Sequence, residues 1–187
     1  MNGKAVSVLY FNHLIFLFVG GFLLALAMQK WNLHKRIALR ILLFSGTNPT
    51  RILLGYMAVT WVFSMWVSNT ATAMLMVPLA IAVIKELEGK LKKKQLRNFS
   101  VALCLGIAYS ASIGGVATLV GTPPNLSFSR IFSLSFPGHP DITFGNWFAF
   151  ALPLSVIFFM ITWAYLALRY TALGADKFQV DRDVFKK

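Results

Sequence analysis

Acidic residues are scarce in this chain of 187 residues: Glu86, Glu88, Asp141, Asp176, Asp181 and Asp183 are the only six. None falls inside a long apolar block, which argues against a proton pump built on an intramembrane carboxylate relay. It also leaves no carboxylate pair for general acid–base hydrolysis. Cysteine occurs once, as Cys104, so an intrachain disulfide and a multi-cysteine metal site are excluded. The histidines His13, His34 and His139 lie far apart at segment edges, a poor basis for a metal centre. With no nucleophile–base pairing in view, the chain does not read as an enzyme. Charged residues of either sign make up 13%, about half of the ~25% usual in soluble domains.

Apolar residues fill the space that charge leaves. They account for 57% of the chain, and the mean hydropathy is +0.67. One soluble core cannot use that much apolar sequence, so several segments must face lipid. The 18 lysines and arginines give a formal charge of +12, which in a soluble protein would suggest nucleic acid. Here they sit in short clusters between apolar blocks, the pattern of cytoplasmic loops. The partner implied is membrane lipid, with no nucleic acid, and the expected location is the cell inner membrane with several passes.

The first apolar block, about Leu14 to Met28, extends to Phe11 and Trp31 and is long enough to span. Lys30, Lys35, Arg36 and Arg40 follow at once, so it reads as an anchor despite the leader-like Ala25-Leu26-Ala27. Leu33, Ile37, Ile41 and Phe44 share one face of a basic stretch over 32–48, which predicts an interfacial helix ended by Ser45-Gly46-Thr47-Asn48-Pro49. The next block, Arg51 to Ile84, has an uncharged polar middle at Ser64, Ser68, Asn69, Thr70 and Thr72 and basic residues at both ends. Both ends then lie on the same side, and a re-entrant hairpin over 49–84 turning at Ser68-Asn69-Thr70 satisfies this. The basic stretch 85–98 is expected as a cytoplasmic loop. Residues 99–136 read as one discontinuous helix, interrupted at Gly121-Thr122-Pro123-Pro124-Asn125, because two prolines remove amide donors. An external loop over 137–145, a span over 146–169 and a cytoplasmic tail over 170–187 complete the plan. This topology puts 16 of the 18 basic residues on one side, leaving Lys4 and Arg130 on the other.

Neutral oxygens and amides gathered at two helix breaks suit a hard monovalent cation beside an anion. The helix after the turn presents free amides and a partial positive charge to that anion. Thr60 and Thr72 taken singly read as packing residues.

Three stretches carry a family resemblance. Ser64-Met65-Trp66-Val67-Ser68-Asn69-Thr70-Ala71-Thr72-Ala73 closely resembles the Ser-Asn-Thr signature of the divalent-anion:sodium symporters. Ile113-Gly114-Gly115-Val116-Ala117-Thr118-Leu119-Val120-Gly121-Thr122-Pro123-Pro124-Asn125 looks like that family's broken-helix loop, and Trp31 to Leu39 is similar to its interfacial helix. The resemblance implies an all-α integral membrane protein, one half of an inverted-repeat elevator transporter that works as a homodimer. By the same resemblance Ser64, Ser68, Asn69 and Gly121 match a sodium site, and Asn69, Thr70, Thr122 and Pro123 match substrate contacts. The implied activity is sodium-coupled transport of a small divalent anion: a C4-dicarboxylate foremost, with citrate or sulfate next. Members run to roughly twice this length with a second hairpin, so the chain reads as the first-repeat half, in need of the second. The alternatives are a sodium-independent exchanger, an arsenite- or citrate-type relative, and a non-transporting subunit or fragment.

Overall fold

The computed structural model describes residues 13–31, 36, 48–88 and 92–171. The expected interfacial helix over 32–48, apart from Arg36 and Asn48, and the tail beyond Thr171 lie outside the described residues. Six α-helices make up the rest: α1 (His13–Lys30), α2 (Pro49–Ser64), α3 (Asn69–Leu87), α4 (Lys93–Ala117), α5 (Pro123–Ser135) and α6 (Phe144–Leu166). A π-helical turn, Ala167–Thr171, extends α6. Among the described residues there is no strand.

Local chemistry sets the helix ends. Asn48 caps α2 by accepting the Thr50 N–H at 2.9 Å, with Pro49 in the first turn, where its missing amide costs nothing. Ser68 caps α3 through the Ala71 N–H at 3.3 Å, and Thr143 caps α6 through the Asn146 N–H at 3.2 Å.

Cross-contacts fix the helix directions. Tyr56 Oη donates to Leu79 O and Ser64 touches Asn69, so α2 and α3 run antiparallel about the Met65–Ser68 turn. Gly106 packs on Leu53 and Met57, and Gly114 on Trp61, so α4 runs parallel to α2. Trp61 Nε1 donates to Ser155 Oγ at 2.7 Å, while Trp163 Nε1 and Thr171 Oγ1 meet Thr50, so α6 returns antiparallel. The starts of α2 and α4 and the ends of α3 and α6 therefore share one end of the bundle. Arg51, Lys85, Lys93, Lys94, Arg97 and Arg169 are gathered there. The Met65–Ser68 turn meets the interruption between α4 and α5 away from that end.

The core is the seam of these helices. Ile52, Leu53, Tyr56, Met57, Val59 and Phe63 of α2 recur at helical spacing against Phe99, Ala102, Leu103 and Ile107 of α4, with Met76 and Ala80 of α3. Thr60 and Thr72 are buried and spend their hydroxyls on Tyr56 O and Val67 O, as packing threonines do. By contrast, Phe150, Ile157, Ile161 and Tyr165 of α6 are all more than half exposed within the chain, a surface suited to lipid. Lys93–Ala117 and Phe144–Thr171 are long and apolar enough to cross a membrane.

Three boundaries differ from the sequence reading. Of the described residues in 85–98, those at 85–87 and 93–98 are helical, with α3 running to Leu87 and α4 starting at Lys93. Lysine, glutamine and arginine are good helix formers whatever their charge, and Gln95 takes the Lys92 N–H. Consequently α4 has 25 residues, whereas its apolar part alone, Phe99 to Ile113, is short for a span. The last span begins at Phe144 and winds on through Arg169 to Thr171, past the expected 146–169.

Candidate ion and anion site

Four helix ends meet where α2 turns into α3 and α4 gives way to α5. Three glycines allow the approach. A Cβ on Gly114 would lie 2.2 Å from Trp61 O, and one on Gly115 would lie 2.1 Å from Asn69 Oδ1. A Cβ on Gly121 would lie 2.6 Å from Gly115 O and 3.0 Å from Ser64 O. At Gly114 and Gly121 the close atoms are backbone, which restricts both positions to glycine, whereas at Gly115 they belong to the Asn69 carboxamide, which a side chain would displace.

Hydrogen bonds then join the pieces. Ser64 is fully buried, and its Oγ lies 2.7 Å from Asn69 Oδ1 and 2.5 Å from Ala111 O. A hydroxyl has one proton, so Ser64 satisfies one of these acceptors at a time. Thr118, also buried, donates its hydroxyl to Met65 O and accepts the Gly121 N–H at 3.0 Å. Asn125 Nδ2 donates to Gly115 O at 2.9 Å and to Thr118 O at 2.8 Å. Ser155 Oγ donates to Ile113 O at 2.8 Å and Trp147 Nε1 to Val116 O at 3.0 Å, anchoring the end of α4 to α6.

Electrostatics at the site are mixed in sign. The ends of α2 and α4 contribute carbonyls and partial negative charge, while the starts of α3 and α5 contribute partial positive charge. At α3 the Ala71 and Thr72 amides are taken by Ser68, whereas the Asn69 and Thr70 amides find no acceptor among the described residues. At α5 the situation is reversed. Pro123 and Pro124 occupy its first turn, so they start this helix rather than interrupt one, and they supply no N–H. Their missing amides leave Leu119 O and Val120 O without the donors that a continuous helix would provide. An open groove of about 570 Å³ leads from Asn69 and Thr70 between α3 and α4, past Ala73, Met74, Val77 and Pro78.

Of the residues singled out in the sequence, Ser64, Asn69 and Gly121 come into direct proximity. Ser68 stands next to them as the cap of α3, so one of its lone pairs is already used. Thr70 is exposed and lines the groove with Asn69. Thr122 is half-buried and Pro123 exposed, and among the described residues no hydrogen bond joins either to Asn69 or Thr70. Sequence reasoning did not single out Thr118 and Asn125. Both stand in the stretch that resembles the family's broken-helix loop, where they are polar positions flanking Gly121-Thr122-Pro123-Pro124.

Two helices long and apolar enough to cross a membrane, with helix ends that converge on neutral oxygens and amides, fit a membrane protein. Residues 3–186 match the citrate transporter family (CitMHS), and the chain belongs to it. It is 42% identical over 180 residues to a protein of Staphylococcus saprophyticus named sodium-dependent dicarboxylate transporter SdcS. The Staphylococcus aureus protein of the same name is 43% identical over 180 residues. In both cases the match covers 94% of this chain and 34% of the relative. This bears out the resemblance to divalent-anion:sodium symporters. The chain spans about a third of the length of these curated relatives, a smaller share than the half expected.

Proposed function

We propose that this chain forms part of a longer secondary carrier that moves a small divalent anion with sodium, a C4-dicarboxylate before citrate or sulfate. One observation carries the reading: Ser64, Asn69, Gly115 and Gly121 converge where the carbonyl ends of α2 and α4 face the free amides at the start of α3. Neutral oxygens without a carboxylate hold a monovalent cation only weakly by themselves. A bound anion beside the cation supplies the missing charge. Two unit charges ~4 Å apart attract by about 4 kcal/mol at an effective dielectric near 20, before desolvation. Each ion then improves the site for the other, which is the thermodynamic basis of coupled transport. In this reading Ser64, Ser68, Asn69 and Gly121 hold sodium. Asn69, Thr70 and Thr122 meet the anion beside Pro123, and Asn69 touches both ions.

The hairpin is re-entrant in this account. A 16-residue α2 rises only ~24 Å, short of a ~30 Å hydrocarbon core. The basic ends of α2 and α3 belong to the cytoplasmic side. Single cysteines at Gly46 and Gly89, in a Cys104-free background, are expected to label only from the inside. Labelling from opposite sides would mean that the segment crosses the membrane. The elevator stroke of a homodimer rests on the family resemblance.

Uptake by the complete carrier in proteoliposomes tests the proposal. An inward sodium gradient is expected to drive labelled succinate uptake at least about tenfold faster than potassium, as loss of ~1.4 kcal/mol of coupling implies. Equal uptake in both salts favours an exchanger, and no uptake of any divalent anion favours a non-transporting subunit.

A further inference from the structure

We propose that Asn125 is a positioning residue for the cation site: its carboxamide fixes the interruption between α4 and α5 without touching the ion. The inference rests on the symport reading. Asn125 is buried, 6% exposed, and its Nδ2 donates to Gly115 O and Thr118 O, which flank the last residue of α4. The nitrogen has two protons, so both are committed. Carbonyls in the last helical turn lack an intrahelical donor, and one side chain from α5 supplies two of them.

What those two residues hold gives the clamp its consequence. Gly115 is the surface on which the Asn69 amide lies, and its oxygen is the nearest heavy atom to the space a Gly121 side chain would take. Thr118 bridges Met65 O in the hairpin turn and the Gly121 N–H in the loop. Asn125 therefore pins both residues that set the spacing between Ser64, Asn69 and Gly121. Without its donors every proposed cation ligand is still present, but the carbonyls of Gly115 and Thr118 turn towards other partners and the spacing relaxes. Affinity for sodium falls while the machinery stays whole.

Donor count and side-chain volume place Asn125→Asp at opposite ends of a series of three variants, and that separates positioning from packing. In the complete carrier, the half-saturating sodium concentration is expected to rise about threefold in Asn125→Ser, which keeps one donor, and about tenfold in Asn125→Ala. Asn125→Asp, nearly isosteric but acceptor-only when ionised, is expected to give the largest rise, because it sets oxygen against two carbonyls. In the serine and alanine variants uptake recovers as sodium is raised. If Asn125 only fills space, Asn125→Asp is instead the mildest change; that order, or an unshifted half-saturation in Asn125→Ala, overturns the inference alone. Where alanine and aspartate variants fail to reach the membrane, Asn125→Ser and Asn125→Cys decide: a smaller shift for serine, the better donor, supports the inference, and a smaller shift for cysteine, the larger side chain, or no shift in either overturns it. Sodium-independent uptake by the unmutated carrier overturns the symport reading and this inference with it.

Discussion

Gly121→Val is expected to abolish sodium-dependent uptake by the complete carrier while the protein still reaches the membrane. The first atom of any side chain there would sit 2.6 Å from Gly115 O and 3.0 Å from both Gly115 Cα and Ser64 O. All three neighbours are backbone atoms, so no side chain can swing aside to make room. The loop must move off the hairpin turn, taking its carbonyls away from Ser64 and Asn69. Valine also brings two methyl groups to the place where a cation would meet oxygen. Loss of even ~3 kcal/mol of ion binding lowers affinity more than a hundredfold. Surface expression and uptake measured together check this. Wild-type sodium dependence in a properly inserted Gly121→Val carrier would assign the interruption a structural role only.

Gly114→Ala is expected to lower thermal stability sharply. Two effects oppose each other at this position. Alanine favours a helix over glycine by about 1 kcal/mol. Its Cβ, however, would lie 2.2 Å from the Trp61 carbonyl oxygen and 3.0 Å from Trp61 Cα, so α2 and α4 must separate. Among the described residues these two helices pack together more extensively than any other pair. Overpacking of this kind costs about 1–3 kcal/mol, and more where only backbone can yield. The clash outweighs the propensity gain. Moving α2 also disturbs the Trp61–Ser155–Ile113 hydrogen-bond chain. A melting temperature several degrees below the unmutated carrier is the expected result, and an unchanged or raised one would show that the helices have room to separate.

The hairpin turn is legible in the sequence because uncharged polar residues are costly in the middle of an apolar block unless they line a site or a turn. The interruption before α5 is legible from Pro123 and Pro124, although their part differs from the expected one: they begin α5, and α4 has already ended at Ala117. Helix ends around the basic stretch are hidden because charge marks the side of the membrane and says little about helicity. Lys93, Lys94, Gln95 and Arg97 favour a helix as readily as they favour water. The glycines and Asn125 are hidden for a different reason. Gly114 and Gly115 lie 45 or more positions from the Trp61 and Asn69 atoms they accommodate, and no local period encodes such a meeting. Asn125 looks like one polar residue in a turn, until its two donors are found on Gly115 and Thr118.

The central claim is that one side chain, Asn69, serves cation and anion together. Its carboxamide oxygen lies against Ser64 on the carbonyl side, and its own amide opens the α3 helix on the other. Half-saturating sodium and half-saturating dicarboxylate measured in the complete carrier with Asn69→Ala test this directly. Loss of a buried polar partner costs about 1–3 kcal/mol, so both constants are expected to rise together by roughly five- to a hundredfold. A variant that weakens neither constant, or only one of them, would contradict a shared site at the hairpin turn.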